Sequence, residues 1–147
     1  MDLCSILTEI ELFNGLDQDD LKEIAQICEE RVYRLAEAIA VQGDQGNEFF
    51  IITEGNVEIA VNDRREPGTK RVVANLGAGQ LIGEMGLVDQ GPRSATVCAI
   101  EEPTRVQVIH YSAIKDLFER NSKIGYLVMR NLAADISFKL RVYMAHS

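Results

Sequence analysis

The spacing of apolar residues changes twice along the chain, and each change predicts a different kind of secondary structure. After Asp17, a suitable N-cap, apolar residues recur at i, i+3, i+4 and i+7, which is the spacing of one helix face. These residues are Leu21, Ile24, Ala25 and Cys28. A shorter helix is expected from Leu3 to Leu12, so the chain is predicted to begin with helices over about residues 3–29.

The middle of the chain, about residues 30–111, carries short β-prone runs separated by turn signals. The turn signals are Gly43-Asp44, Gly55-Asn56, Pro67-Gly68, Gly77-Ala78-Gly79, Gly91-Pro92 and Glu102-Pro103. Apolar residues also alternate as they do on one face of a strand. The two clearest examples are Val57, Ile59 and Val61, and Val106, Val108 and His110. This region is therefore predicted to form half-buried antiparallel strands of a jelly-roll-like β-roll, also called a double-stranded β-helix.

Helical spacing returns after Ser112, a second candidate N-cap, and predicts helices over Ala113–Arg120 and Lys123–Met144, within about residues 113–144. The longer helix has two apolar sides. They carry Met129, Leu132, Ile136, Leu140 and Tyr143 on one side, and Ile124, Leu127, Ala134 and Phe138 on the other. A helix of this kind needs two partners. One would be the β-roll, and the other a second copy in a homodimer or the mouth of a ligand pocket. Plain core packing is the alternative.

Composition and charge favour one acidic globular domain over residues 1–147, mainly β with flanking helices. The chain contains 15 Lys plus Arg and 23 Asp plus Glu, which gives a formal net charge of −8. Proteins bind nucleic-acid phosphates through clustered cations. The negative charge therefore argues against nucleic acid as a partner.

Cysteine and histidine usage argues against a metal site and against an enzyme. Cys4, Cys28 and Cys98 have no metal-ligand spacing and indicate a reducing compartment. His110 and His146 are the only histidines, too few for a cupin-like metal site, and no nucleophile and base stand out as a pair. The chain start lacks a signal peptide, and no apolar stretch reaches the ~20 residues of a transmembrane helix. We expect a cytoplasmic protein without metal, cofactor or membrane span.

The clearest chemical signal is a glycine-containing turn, a short helix start and an arginine that leads into a strand, all between residues 79 and 97. Gly83 and Gly86 allow backbone N–H groups at a helix start to approach an anion. Arg93 adds a guanidinium group that can hold a phosphate through two hydrogen bonds, and Ser94 adds a hydroxyl. A carboxylate beside an anion site, such as that of Glu84, can accept a hydrogen bond from a ribose hydroxyl. Together these residues indicate a nucleotide.

The same residues also have a purely structural interpretation. Glu84 would then cap a turn, and Arg93 would form a surface ion pair with Glu84 or Asp89. Each residue taken alone favours this interpretation, whereas their joint spacing favours a nucleotide site.

The segment Gly83-Glu84-Met85-Gly86-Leu87, followed by Arg93-Ser94-Ala95-Thr96-Val97, resembles the phosphate-binding cassette of cyclic nucleotide-binding domains. That family includes catabolite-activator transcription factors, kinase regulatory subunits and cyclic-nucleotide-gated channels. The resemblance extends over almost the whole chain. Leu12-Phe13-Asn14-Gly15-Leu16 is similar to the family's entry helix, and Gln42-Gly43-Asp44 with Phe50-Ile51-Ile52-Thr53-Glu54-Gly55 is similar to its early strands.

The resemblance implies a β-roll that holds a cyclic mononucleotide. Glu84 would bind the ribose 2′-hydroxyl and Arg93 the cyclic phosphate. Backbone or hydroxyl donors would come from the rest of the cassette, and apolar residues would line ribose and base. The remaining implied ligand-binding residues are Gly83, Met85, Gly86, Ser94, Ala95, Ile82 and Val73, with Phe138, Lys139 and Arg141 as lid candidates. Cyclic AMP is the expected ligand, and cyclic GMP is the alternative because Ser94 follows the arginine.

The leading functional interpretation is a sensor in which the ligand shifts the C-terminal helices and thereby changes contacts with a protein partner or a second subunit. Catabolite-activator relatives carry a helix-turn-helix domain after the long helix, and this chain is expected to lack one and to leave DNA unbound. The alternative is an interaction or assembly module that keeps the β-roll but no longer binds nucleotide.

Overall fold

Two antiparallel four-stranded sheets form the centre of the chain in the computed structural model, which describes residues 2–146. The strands are β1 (Cys28–Tyr33), β2 (Ala38–Ala40), β3 (Glu48–Glu54), β4 (Asn56–Asn62), β5 (Lys70–Gly77), β6 (Leu81–Ile82), β7 (Thr96–Ala99) and β8 (Thr104–His110). One sheet has the order β1-β8-β3-β6 and the other β2-β7-β4-β5. Most neighbouring strands are distant in sequence, as in a jelly roll. The predicted mainly β roll with flanking helices is confirmed.

The chain divides into a β unit, Cys28–Ser112, and a helical unit formed by the residues up to Ile27 and from Ala113 onward. The hydrophobic core of the β unit draws on both sheets. Its buried members are Tyr33, Ile39, Ala40, Phe50, Ile52, Val57, Ile82, Val97, Ala99, Val106 and Val108. Burial of this apolar surface is the main stabilising contribution to the roll.

The predicted turn signals lie between strands or between α3 (Gly86–Asp89) and β7, except that Asn56 is the first residue of β4 and Gly77 the last of β5. Gly55 illustrates the reason, since it joins β3 to β4 with a φ of +89°. A Cβ atom there would lie 2.5 Å from the Thr104 hydroxyl oxygen, so only glycine fits. Turn chemistry therefore predicted the strand boundaries well.

The prediction of half-buried strands is wrong for β3 and β8. Four consecutive β3 residues, Phe49 to Ile52, are fully buried, and Val106 to Ile109 of β8 are buried as well. Both strands lie in the middle of their sheet, and both of their faces are covered. Alternation of apolar and polar residues is lost where both faces are buried.

The N-terminal part of the helical unit contains α1 (Leu3–Thr8), a 3-10 helix (Glu11–Phe13) and α2 (Gln18–Gln26). Asp17 is the predicted N-cap of α2 and forms a reciprocal capping box with Asp20. The helix ends before the expected position near residue 29, because β1 begins at Cys28 and pairs with β8. Cys28 is therefore a strand residue rather than part of a helix face.

The C-terminal helices are α4 (Tyr111–Arg120) and α5 (Ser122–Ala145). Ser112 lies inside α4 and is not its N-cap, because the helix begins directly after β8 at Tyr111. Asn121 caps α5 by accepting a hydrogen bond from the Ile124 N–H at 3.2 Å. The prediction of two helices is thus confirmed, with the first starting earlier than expected.

Only the first half of the predicted apolar surface of α5 is buried. The buried residues are Ile124, Gly125, Val128 and Leu132. Beyond Leu132 the predicted stripe is no longer buried, and Leu140 and Tyr143 are 55% and 71% exposed. The second partner expected for this helix stays a prediction. Within residues 2–146, no helix is both long enough and apolar enough to cross a membrane.

Candidate functional site

The cassette folds as a tight turn followed by a single helical turn. Strand β6 leads into Gly83, whose φ of +80° turns the chain. The Gly86 N–H then donates to the Gly83 carbonyl at 3.3 Å, and the Leu87 N–H donates to the Glu84 carbonyl at 3.1 Å. This is the turn and short helix start that the sequence predicts, and it continues as α3.

The backbone of Arg93 is held by the loop between β2 and β3. Its N–H donates to the Asp44 carbonyl, and its own carbonyl accepts from the Gly43 N–H, both at 2.8 Å. The guanidinium carbon lies 5.5 Å from the centre of the Phe50 ring, a cation–π distance. Nη1 also donates to the Tyr111 hydroxyl at 3.3 Å. Both ends of Arg93 are therefore held by the fold.

Glu84, the acidic residue of the cassette, has an interaction partner in the structure. Asp89 accepts a hydrogen bond from the Gly91 N–H at 2.9 Å. Glu48, the first residue of β3, forms an ion pair with Arg31 at 3.1 Å. Hydrogen bonds to the Tyr33 hydroxyl and then to Glu48 raise the pKa of Arg31. These three acidic residues therefore all have partners within the fold.

Two glycines make room for the Arg93 side chain. A Cβ atom at Gly46 would lie 2.2 Å from the guanidinium carbon, and one at Gly83 would lie 2.4 Å from Nη1. Distances this short require the guanidinium group to move. Gly83 is also at a positive φ, so a side chain there would be strained as well as crowded.

Tyr111, the first residue of α4, completes the surroundings of the cassette. Its hydroxyl donates to the Gly83 carbonyl at 2.5 Å, and its ring stacks on Phe49 with centroids 6.3 Å apart. Burial raises the pKa of the Tyr111 phenol, although the Arg93 charge opposes that shift. A Cβ atom at Gly86 would lie 2.2 Å from the hydroxyl oxygen, so Gly86 is required for Tyr111 to pack here.

The sequence-predicted residues have different surroundings in the structure. Ile82 is buried in the core of the roll, and Glu84 and Ala95 are half-buried. Met85 and Ser94 are exposed. Tyr111 brings Gly83 and Arg93 together and packs against Gly86, while Glu84 and Met85 lie in the turn between the two glycines.

Val73 and the lid candidates are placed elsewhere. Val73 lies on β5, where the pairing with β4 shifts register, and it is 47% exposed. Phe138, Lys139 and Arg141 are exposed on α5. Lys139 pairs with Asp135 one helical turn away, at 2.9 Å.

A cavity of about 200 Å³ borders Arg93 on the side of the loop between β2 and β3. Its lining includes Asp44, Gln45 and Gly46 but none of the cassette residues 82–86. It is therefore distinct from the cassette turn.

Sequence reasoning missed three residues that shape this site: Gly46, Phe50 and Tyr111. Phe50 was noticed only as part of a flanking segment. Gly46 and Tyr111 carry no local signal, because their roles depend on contacts with residues that lie 18 to 47 positions away in the chain.

Comparison with known proteins assigns the family. The model of the cyclic nucleotide-binding domain matches residues 30–121, more than half of the chain. The chain therefore belongs to the cyclic nucleotide-binding domain family, and the predicted resemblance is confirmed.

Two curated relatives refine this assignment. The chain is 35% identical over 131 residues to a cAMP-dependent protein kinase regulatory subunit of Mycosarcoma maydis, covering 82% of this chain and 24% of that protein. It is 32% identical over 130 residues to the Cyclic AMP receptor protein of Thermus thermophilus, covering 88% and 57% respectively. The chain thus spans from about a quarter to somewhat over half of the length of these relatives. One is a kinase regulatory subunit by name, and the other is a cyclic AMP receptor by name.

Solved structures agree with the fold. The crystal structure of the Thermus thermophilus Catabolite Activator Protein matches with a TM-score of 0.80 and 31% identity, covering 92% of this chain and 61% of that one. The regulatory domain of Toxoplasma gondii PKA with cAMP matches with a TM-score of 0.75 and 24% identity, covering 91% and 48%. The second match supports the fold alone.

Proposed function

We propose that this domain binds a cyclic mononucleotide, with cyclic AMP as the expected ligand, and acts as a regulatory module. The observation that carries the proposal is the Arg93 guanidinium, which Phe50 and Tyr111 hold beside Gly83 of the cassette turn. Arginine also matches phosphate geometry through two parallel hydrogen bonds.

The remaining roles follow the family pattern. Arg93 binds the cyclic phosphate, and Glu84 accepts from the ribose 2′-hydroxyl. The backbone or hydroxyl groups of Gly83, Gly86, Ser94 and Ala95 donate to the ligand, with Met85 between the two glycines. Ile82 and Val73 line ribose and base. The names of the fungal and bacterial relatives support cyclic AMP over cyclic GMP.

Ligand binding is coupled in this proposal to movement of the C-terminal helices, with Phe138, Lys139 and Arg141 as the lid. The exposed apolar residues of α5 support a role in contacts with a protein partner or a second subunit. A coupling free energy of about 1–3 kcal/mol is typical of such regulation. The net charge of −8 supports a partner other than nucleic acid.

The chemistry proposed for the site is binding rather than catalysis. Cys4, Cys28 and Cys98 form no disulfide within residues 2–146, which supports a reducing compartment such as the cytoplasm.

The test is calorimetric titration of the nucleotide-stripped protein with cyclic AMP, cyclic GMP and 5′-AMP. We expect binding of a cyclic nucleotide and weaker binding of 5′-AMP. Arg93→Ala should weaken binding by roughly 2–5 kcal/mol, as is typical when one partner of a buried charge pair is truncated. Arg64→Ala, a change at an exposed arginine in the turn between β4 and β5, is the matched control and should bind like the parent.

Two outcomes would count against the proposal. If Arg93→Ala and the parent bound the cyclic nucleotide with equal affinity, the assignment of Arg93 to the phosphate would be wrong. Binding of no nucleotide, with an unchanged melting temperature, would favour an assembly module that uses the exposed residues of α5. Sedimentation of the parent and of a Leu140→Glu variant would then test self-association.

A further inference from the structure

Tyr111 contacts both parts of the cassette, although it lies outside the set of residues proposed to bind the ligand. Its hydroxyl donates to the Gly83 carbonyl at 2.5 Å and accepts from Arg93 Nη1 at 3.3 Å. One phenol group therefore links the cassette turn to the arginine that follows it ten residues later.

The bond to Gly83 sets the direction of a backbone N–H group. The Gly83 carbonyl accepts from both the Tyr111 hydroxyl and the Gly86 N–H. Because a trans peptide is planar, the orientation of this carbonyl determines the opposite direction of the Glu84 N–H. The Tyr111 hydroxyl thus holds the peptide between Gly83 and Glu84 in one orientation.

The position of the hydroxyl is itself set by packing. Tyr111 is only 8% exposed, and its ring is stacked on the fully buried Phe49. Its other neighbour is Gly86, where a Cβ atom would meet the hydroxyl oxygen at 2.2 Å. A ring enclosed in this way has little freedom to rotate, so the hydroxyl stays at the cassette.

We propose that Tyr111 is a positioning residue for nucleotide binding: its hydroxyl orients the Arg93 guanidinium and the Gly83–Glu84 peptide toward the cyclic phosphate. This inference rests on the proposed function of the site. It differs from a purely packing role for Tyr111, in which the ring would matter and the hydroxyl would not.

Tyr111→Phe separates these two roles, because it keeps the ring and its stacking and removes only the hydroxyl. We expect cyclic AMP to bind about tenfold more weakly to this variant, since Arg93 and the Gly83 carbonyl both lose a partner. Tyr126→Phe, which removes an exposed hydroxyl on α5, is the matched control and should bind like the parent.

A double-mutant cycle identifies the route of the effect. If Tyr111 acts in part through Arg93, then Tyr111→Phe should weaken binding less in the Arg93→Ala background than in the parent. Effects that add independently would contradict a route through Arg93.

A measurement without ligand keeps this inference separate from the proposed function. Amide spectra of the 15N-labelled protein should show the Glu84 signal displaced in Tyr111→Phe and unchanged in Tyr126→Phe. An unchanged Glu84 signal in Tyr111→Phe would overturn the positioning role. So would a Tyr111→Phe variant that binds cyclic AMP like the parent while Arg93→Ala binds it much more weakly. Either result would leave the proposed function standing. If the parent binds no cyclic nucleotide, the proposed function fails and the amide signals alone decide how the peptide is held.

Discussion

The two halves of α5 are both rich in apolar residues, but only the first half is buried. Ile124, Val128 and Leu132 are at most 2% exposed, whereas every residue from Ser137 to His146 is exposed. The second half is the more apolar of the two. Apolar content alone therefore does not decide which part of a helix is buried.

The two halves differ in the polar contacts that hold them. Lys123 pairs with Asp17 and Asp20, and the Asn131 amide donates to two backbone carbonyls near the 3-10 helix. In the second half, Lys139 pairs with Asp135 on the same helix. Contacts with another element place a helix face in the core, while contacts within a helix only support the helix itself.

The largest effect that tests this comparison is a matched pair of truncations. Leu132→Ala should lower the free energy of unfolding by about 2–5 kcal/mol, because it removes buried methyl groups and leaves a cavity. Leu140→Ala should change it by less than about 0.5 kcal/mol, because Leu140 is exposed. Urea unfolding measures both. Equal losses would show that the second half is buried in solution, for example by a second copy of the chain.

A smaller effect is expected from the polar anchors. Asn131→Ala should cost about 1–3 kcal/mol, because the Leu12 and Asn14 carbonyls lose the side-chain amide that donates to them. Lys139→Ala is the control in the second half and should cost about 0.3–0.5 kcal/mol, the usual contribution of an exposed i,i+4 pair. Thermal unfolding of the parent and both variants measures these two losses of stability. An Asn131→Ala variant as stable as Lys139→Ala would contradict the anchoring role.

The smallest effect concerns the acid dependence of the first half. The pKa of Asp17 is lowered, first by the Asp20 backbone N–H and then by Lys123. A carboxyl whose folded-state pKa is lowered stabilises the fold above its unfolded pKa of about 4, and the contribution is lost as pH falls through the folded-state value. Asp17→Asn should therefore reduce the loss of stability below about pH 4. Unfolding curves of parent and variant that stay parallel down to pH 2.5 would rule this out.

Much of the fold was predictable because its signals are local. The capping box at Asp17 joins residues three positions apart, and the turn at Gly79 needs only a glycine at positive φ. The cassette from Gly83 to Arg93 was recognisable for the same reason, since its turn and its arginine belong to one short segment.

Other features were not predictable because they depend on distant residues. The end of α2 is set by pairing of β1 with β8, more than seventy residues away. Ser112 matches an N-cap by sequence, but α4 begins one residue earlier, at Tyr111. The burial of consecutive residues in β3 likewise required both faces of that strand to be covered.

The sequence by itself determined the elements of this protein and the segment that carries its chemistry, because helix caps, turns and a short glycine-containing motif act over a few residues. Only the tertiary structure decided which half of α5 is buried and that Tyr111 joins Gly83 to Arg93. These features depend on atoms that long-range packing brings within a few ångströms of one another, and no spacing along the chain encodes those distances.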